Sequence, residues 1–333
     1  MSSKIKVAIN GFGRIGRITF RKLASMPDIE VVAINDLTDN ATLAHLLKYD
    51  SIHRIFDTDI QATDSGIKIN GVLIPVFAEK NPAQLPWNKL GVDVVIESTG
   101  KFTSTEGANL HLVAGAKKVI ISAPSKDTMK TIVLGVNDHL LTSDDKILSN
   151  ASCTTNNVAP MIRILEENWG IETAYITTVH AYTGDQNLHD APHKDLRRAR
   201  AAAVSIIPTS TGAAKAVTEV FPHLKGKVGG AGIRVPVPDG SLTDITCMVR
   251  KTATIEEINA AFKKASESVL KGILQYTDEP IVSIDIVGNT HSCIFDAQLT
   301  SVIGNMVKVV GWYDNEMGYS ARLADLIKRL AAL

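Results

Sequence analysis

Only three cysteines occur in the 333 residues, at positions 153, 247 and 293. That wide spacing makes neither a disulfide framework nor the paired pattern of a zinc site, and no metal is expected. No apolar run approaches the ~20 residues of a membrane helix, and the N-terminal stretch lacks the apolar core of a signal peptide. Neither sign of charge prevails: Lys plus Arg and Asp plus Glu number 35 each, for a formal net charge of +0. Such a balance argues against nucleic acid or an anionic membrane as the main partner, so local arginine clusters read as sites. Repeats and low-complexity tracts are absent as well. What remains is a chain with 45% hydrophobic residues, ample for buried cores, and long enough for roughly two domains of about 150 residues. The expectation is a soluble protein of a reducing, cytoplasmic compartment.

Residues 4–9 form a short strand signal, followed by Gly11-Phe12-Gly13-Arg14-Ile15-Gly16 and a helical pattern through Ile15, Ile18, Leu23 and Met26. A second strand pattern, 29–35, ends at Asp36, twenty residues after Gly16. A lone GxGxxG is weak, but between strand and helix, with an acid at that distance, it marks a dinucleotide site. The glycines allow a tight turn and close approach of a pyrophosphate to the helix N-terminus. Asp36 would accept hydrogen bonds from an adenosine ribose and repel a 2′-phosphate. The alternative is an ordinary glycine-rich turn with an exposed acid.

Strand signals continue at 92–97, 119–122, 132–134 and 147–149, with a helix around 104–115. This succession predicts a doubly wound, mostly parallel sheet, an α/β Rossmann domain. Ligands bind such sheets beyond the C-terminal strand ends, where Asn35, Asp36, Thr99, Gly100 and Ser122 fall. Residues 50–90 read as an inserted hairpin and loop, in which Lys80 either touches the adenine side or is a solvated lysine. Beyond residue 153 strand patterns dominate, at 171–179, 228–237, 242–250, 281–287, 292–299 and 305–313, with helices near 210–219 and 254–269. That predicts an α+β domain with a largely antiparallel sheet. A last helix over 318–331 carries Leu323, Leu326, Ile327 and Leu330 at helical spacing and must dock to be stable.

Cys153 stands in Ser149-Asn150-Ala151-Ser152-Cys153-Thr154-Thr155-Asn156-Asn157, among small polar residues where an apolar helical run begins. Ser152 or a neighbour can cap that helix. A thiol there sits at the positive end of the helix dipole, which favours thiolate, and the exposed amides can hold an oxyanion. By itself the stretch suits a nucleophile or a structural cysteine. His180, ending the strand Ile176-Thr177-Thr178-Val179, is a candidate base, although other histidines rival it on spacing and a structural histidine is the default. The loop after it holds Thr183, Asp185, His193, Lys194, Arg197, Arg198 and Arg200. Thr211-Gly212 opens a helical run, and Arg234 lies in a strand, where a charge needs a partner. These groups are a solvated face or a grip on phosphates, which Arg pairs in bidentate fashion.

Six stretches recur in order: Ile9 to Arg17, Glu97-Ser98-Thr99-Gly100, Ser149 to Asn156, Thr178-Val179-His180, Pro208 to Lys215, and Trp312-Tyr313-Asp314-Asn315-Glu316. With them the chain resembles the glyceraldehyde-3-phosphate dehydrogenase family, of the bacterial type, along essentially its whole length. The resemblance implies oxidation of glyceraldehyde 3-phosphate to 1,3-bisphosphoglycerate, with NAD as cofactor and inorganic phosphate as second substrate, through a cysteine hemithioacetal and thioester. It implies Cys153 as nucleophile and His180 as its base. Gly11, Gly13, Arg14 and Ile15 fall against the pyrophosphate, Asp36 on the adenosine ribose, and Asn315 on the nicotinamide carboxamide. Lys80, Thr99 and Ser122 fall at further cofactor contacts. Ser152, Thr154, Thr211 and Gly212 match the site for the attacking phosphate; Thr183, Arg198 and Arg234 match the grip on the substrate phosphate, in a register shared between Arg197 and Arg198. It also implies a homotetramer, an NAD-binding domain over 1–152, a catalytic domain over 153–315, and a terminal helix 316–333 that packs back on the first.

Three positions depart from that family's pattern. A second cysteine is usual four residues after the nucleophile, where this chain has Asn157. Arg54 replaces a common glycine. Ala191-Pro192 mixes features of NAD-specific and NADP-using members and bears on cofactor exclusivity. Erythrose-4-phosphate dehydrogenase, which shares nucleophile and fold, is the rival reading; the intact Thr211-Gly212-Ala213-Ala214-Lys215 favours the triose enzyme.

Overall fold

The computed structural model describes residues 4–333. Its contacts divide the chain into two compact units. The first takes the chain through Ile132, then Leu140–Ala151 and Ser320–Leu333; the second takes Val133–His139 and Ser152–Tyr319.

The first unit begins with β1 (Ile5–Asn10), α1 (Arg14–Ala24), β2 (Ile29–Asn35) and α2 (Asn40–Lys48). It continues with β3 (Ile60–Thr63), β4 (Gly66–Ile69), β5 (Val72–Phe77) and α3 (Trp87–Leu90). β6 (Val94–Glu97), α4 (Thr105–Val113), β7 (Lys118–Ile121) and β8 (Ile147–Ser149) follow. The strands form one sheet in the order β3-β4-β5-β2-β1-β6-β7-β8. It is parallel from β5 onward, and the β3-β4-β5 meander is antiparallel. The parallel strands read as unbroken apolar runs because helices cover both faces; Val7, Ala8, Ile9, Val95, Ile96, Ile120 and Ile121 are fully buried. Chain order reverses at β1, which pairs β2 on one side and β6 on the other, so a crevice opens beyond these strand ends.

One local expectation fails near residue 133, and one helix was not anticipated. The strand signal at 132–134 is not realised; only the preceding residue, Thr131, forms an isolated bridge, with Ser149. There Val133 N instead donates to the Asn137 side chain at 2.8 Å, closing a turn. Helix α2 also goes unread in the sequence, although Asp39 caps it by accepting from Thr42 N at 2.8 Å.

The second unit contains α5 (Cys153–Trp169), β9 (Ile171–Ala181), β10 (Ile207–Thr209), α6 (Ala213–Val220), β11 (Val228–Val235) and β12 (Ser241–Val249). After these come α7 (Ile255–Glu267), β13 (Leu274–Thr277), β14 (Cys293–Asp296), β15 (Ser301–Ile303) and β16 (Met306–Tyr313). Helix α8 (Met317–Ala331) closes the chain. The sheet runs β10-β11-β9-β12-β16-β14-β13, with β15 on β16, and only the β11/β9 and β13/β14 pairs are parallel. Its core takes Met161, Ile162 and Leu165 of α5, Phe262 of α7, and Ile176, Ile245, Phe295 and Val309 of the sheet. The doubly wound sheet and the largely antiparallel one agree with the fold class read from the chain.

Alternation along β9 decides the orientation of His180. Ile176, Thr178 and His180 share the buried face, whereas Thr173 and Tyr175 on the other face are exposed. The strand signal at 281–287 is overturned: Asp285 accepts from Val282 N at 2.7 Å and winds Ser283–Ile286 into a 3₁₀ turn. The 292–299 run stops as a strand at Asp296, whose carboxylate caps the turn after it by accepting from Gln298 N. The short strands β10, β13 and β15 carried no sequence signal long enough to read.

Candidate active site

Helix α5 starts at Cys153 because Ser152 caps it: the Ser152 hydroxyl accepts from Thr155 N at 3.1 Å. Ala151, just before the cap, is fully buried with φ 55, a left-handed conformation that a non-glycine residue adopts only under constraint. The Cys153 Sγ lies 3.5 Å from His180 Nε2. His180 is only 6% exposed, and its Nδ1 lies 2.7 Å from Ala181 O. An Nδ1–H donated to that carbonyl leaves Nε2 with a lone pair toward sulfur, the tautomer a base requires. Burial first, then the charge of Arg234, push the His180 pKa down to about 3, so the ring is neutral.

The thiol departs from expectation. Burial pushes the Cys153 pKa up, outweighing the downward pull of Arg234 and of the Thr154 hydroxyl and amide. A helix N-terminus therefore does not by itself yield a resting thiolate here; the pair rests as thiol and neutral imidazole. Tyr313, fully buried, ties the surroundings together: its hydroxyl lies 2.9 Å from Thr154 Oγ1 and 3.0 Å from Thr178 Oγ1. Its ring meets His180 edge-on with centroids 5.9 Å apart.

The polar loop after β9 folds against β10 and β11. Arg234 pairs in register with His180; its Nη1 lies 2.9 Å from His180 Nδ1, and its two hydrogens go to Ala181 O at 2.9 Å and Thr183 Oγ1 at 3.0 Å, both uncharged acceptors. Arg198 donates to Thr209 Oγ1 at 2.9 Å and is ion-paired with Asp185, which also accepts from the Thr183 hydroxyl. Arg197 is exposed, so the half-buried arginine of the pair is Arg198. Thr211 and Gly212 immediately precede α6, which packs beside α5; Thr211 Oγ1 accepts from Ala213 N at 3.2 Å, and Gly212, at the cap position, offers no side chain to cap the helix.

In the first unit, a cavity of about 470 Å³ lies over the ends of β1, β2 and β6, lined among others by Gly11, Gly13, Asp36, Lys80 and Thr99. A Cβ on Gly11 would stand 2.6 Å from Thr99 N, and one on Gly16 would stand 2.2 Å from Gly11 O. Only glycine closes this turn. No side chain caps α1, so its first amides remain for an anion. The Asp36 carboxylate is held by Phe12 N at 2.7 Å and Thr38 N at 3.0 Å, at the tip of β2. Arg14 is engaged by Asp50 at 2.5 Å and 3.2 Å. Burial would raise Asp50, yet the Arg14 bond and the amides of His53 and Ile52 draw it down to about 2. Ile15 follows in the first turn of α1, and Ser122, just past β7, donates its amide to Glu97 O at 2.9 Å.

Motif reading missed the buried network that holds two of the lining residues, Asn10 and Thr99. Glu97 is buried and accepts from Asn10 Nδ2 at 2.5 Å, His111 Nε2 at 3.0 Å, Thr99 N at 2.9 Å and the Thr99 hydroxyl. Trp87 Nε1 donates to His111 Nδ1 at 3.0 Å, which assigns the imidazole proton to Nε2. Both Thr99 donors are thus committed to Glu97. Only the pairing of a buried carboxylate with a buried histidine across two elements reveals this, and spacing carries no trace of it.

The family model described as "Glyceraldehyde 3-phosphate dehydrogenase, NAD binding domain" matches residues 5–105, and that described as "Glyceraldehyde 3-phosphate dehydrogenase, C-terminal domain" matches residues 152–315. The chain belongs to the glyceraldehyde-3-phosphate dehydrogenase family. A glyceraldehyde-3-phosphate dehydrogenase of Mycobacterium avium is 57% identical over 330 residues, 97% of each chain. That of Borreliella burgdorferi is 58% identical over 334 residues, 98% of this chain and 99% of its own. That of Geobacillus stearothermophilus is 56% identical over 330 residues, 98% of each. As a glyceraldehyde-3-phosphate dehydrogenase family member the chain is an NAD-dependent oxidoreductase, and the glycine cradle and the fixed Asp36 fit that cofactor. Nothing in these relatives favours the erythrose-4-phosphate reading.

Proposed function

We propose that this chain oxidises D-glyceraldehyde 3-phosphate to 1,3-bisphosphoglycerate with NAD and inorganic phosphate. The observation that carries the reading is the sulfur at the start of α5, 3.5 Å from the Nε2 of a buried imidazole held neutral. Cys153 attacks the aldehyde carbon as its proton passes through His180 to the carbonyl oxygen, giving a hemithioacetal whose oxygen is held by the first amides of α5 and leaving the ring neutral. His180 Nε2 then takes the hydroxyl proton while the carbon loses a hydride and becomes a thioester. NAD, when bound, supplies the acceptor for that hydride. Inorganic phosphate attacks the thioester carbon, and Cys153 departs with the His180 proton returned to it.

Thr183, Arg198 and Arg234 grip the substrate phosphate, supported by their convergence beside His180. Ser152, Thr154, Thr211 and Gly212 receive the attacking phosphate at the N-terminal turns of α5 and α6. Gly11, Gly13, Arg14 and Ile15 take the pyrophosphate, Asp36 the adenosine ribose and Asn315 the nicotinamide carboxamide, with Lys80, Thr99 and Ser122 beside them. On this reading the first unit is the cofactor domain and the second the catalytic one. The protein acts as a cytoplasmic homotetramer. Exposed Leu188, Leu196, Val204 and Ile206 in the 182–206 segment, and exposed Tyr175 and Met248 on the sheet, are the apolar surface such an assembly covers.

The test follows NADH absorbance with glyceraldehyde 3-phosphate and, separately, erythrose 4-phosphate, each with and without phosphate. Steady turnover on the triose should need phosphate, and without it NADH should rise by one equivalent per site and stall. Phosphate-independent turnover, or a preference for the tetrose, would overturn the reading.

A further inference from the structure

We propose that Ser241 is a positioning residue for the redox step: it dictates which end of the Asn315 amide faces the ligand. The inference rests on the reading of Asn315 as partner of the nicotinamide carboxamide. Ser241 opens β12 and is 1% exposed; Asn315 is 5% exposed. The serine Oγ lies 2.7 Å from Asn315 Oδ1 and 3.0 Å from Ala181 N. A hydroxyl has one hydrogen to give and lone pairs to receive. The Ala181 amide can only donate, so Oγ accepts there and its own hydrogen must go to Asn315. The end of the amide that meets it is therefore the carbonyl oxygen. Turned over, the Asn315 NH₂ would face an oxygen already accepting, and the serine hydrogen would be buried without an acceptor.

With Oδ1 engaged, the two hydrogens of Asn315 Nδ2 are directed elsewhere, as donors for a ligand carbonyl. The backbone beside it is pinned, because Asp314 accepts from Gly288 N at 2.6 Å, Glu316 N at 2.8 Å and Met317 N at 2.7 Å. Side-chain rotation is the remaining freedom, and Ser241 removes it. Ala181 serves both partners of the reaction: its carbonyl orients the His180 ring, and its amide, through Ser241, orients Asn315. One backbone residue thus registers the base against the carboxamide partner.

The experiment measures the phosphate-free NADH burst with NAD and with an analogue whose pyridine ring lacks the carboxamide. Ser241→Ala should slow the NAD burst roughly 10-fold, in line with one lost buried hydrogen bond. It should leave the KM for the aldehyde unchanged and match the unsubstituted enzyme on the analogue. An equal loss with both dinucleotides would mean a merely structural role and would overturn the proposal. Asn315→Ala is the control for the underlying reading: if it leaves NAD kinetics unchanged, that reading fails. If it slows the NAD burst while Ser241→Ala does not, the Ser241 proposal alone fails. The double variant should be no slower than Asn315→Ala; additive losses would count against coupling. Should Ser241→Ala not fold, Ser241→Cys, a weaker donor of similar size, should slow the NAD burst several-fold and spare the analogue, and equal rates on NAD would overturn the idea.

Discussion

At the scale of single residues, the chemistry turns on a proton shared by a half-buried thiol and a buried imidazole. Cys153→Ser should fold and bind NAD yet lose nearly all activity, because a serine hydroxyl beside a neutral imidazole keeps its proton. Retention of more than a few per cent of the rate would discard the nucleophile. His180→Asn should lower the rate roughly 10²–10⁴-fold, the span of a general base. Iodoacetamide alkylation of Cys153 near neutral pH should slow in parallel, since thiolate here depends on transfer to the ring rather than on the helix dipole. That dependence is what burial of the thiol imposed. The same burial explains why Cys247, pushed up to about 12, and Cys293, pushed up further, are inert by comparison.

Elements set what the surrounding residues can do. Arg54 sits with φ 63, in the left-handed region, where its carbonyl accepts from Arg21 Nη1 at 3.1 Å. A side chain there costs roughly 1–2 kcal/mol, and glycine returns part of the gain through its freer unfolded chain. Arg54→Gly should therefore leave the turn intact and raise stability by up to about 1 kcal/mol, read from urea unfolding with unchanged slope; a loss of stability would refute the strain. In α5, Asn157 stands one turn beyond Cys153, and its Nδ2 donates to the carbonyls of Gly311 and Trp312 in β16 at 3.3 Å and 3.2 Å. It fastens the helix to the sheet and offers no thiol. Peroxide without added thiol should then drive Cys153 to sulfinic and sulfonic acids, and glutathione should protect it as a mixed disulfide. Peptide mass spectrometry after graded peroxide reads the outcome. A Cys153–Cys247 or Cys153–Cys293 bond, or full recovery with dithiothreitol after long exposure, would contradict it.

For the whole molecule, two buried groups pull stability in opposite directions with pH. His180 is depressed to about 3, so between its ordinary 6.5 and 3 the unfolded chain binds a proton that the folded one refuses. Stability contributed by this group is lost as pH falls through that window. Asp239 is raised to about 9, by burial first and then by Asp314 and Glu316, so from 3.8 to 9 the folded chain keeps a proton that the unfolded one has released. Its contribution declines as pH rises through that range. Asp239→Asn, which keeps the shape without the acid, should flatten the decline in melting temperature between pH 6.5 and 9 and steepen the loss on acidification between 6.5 and 3.8, where the two groups otherwise offset each other. An unchanged alkaline slope would show that Asp239 does not carry it.

By itself the amino-acid order determined whatever depends on neighbours within about one turn or one strand. The glycine turn after β1, the acid at the tip of β2, the cap before Cys153 and the strand that carries His180 follow local rules of backbone space and side-chain period, and they were legible. Family motifs carried the site residues further than periodicity could, naming Arg198 and Asn315, for which spacing offers no signal. Local reading failed where a side chain claimed the backbone: Asp285 wound an apolar run into a turn, and Asn137 closed another where a strand was expected. Tertiary structure alone decided what needs distant residues in one place. Ser241 meets Asn315 across 74 positions, Tyr313 meets Thr154 across 159, and Glu97 gathers Asn10 and His111 across 87 and 14. Burial did the rest, turning an expected thiolate into a thiol and holding its base neutral. Desolvation depends on every atom packed around a group, and no stretch of sequence contains them all.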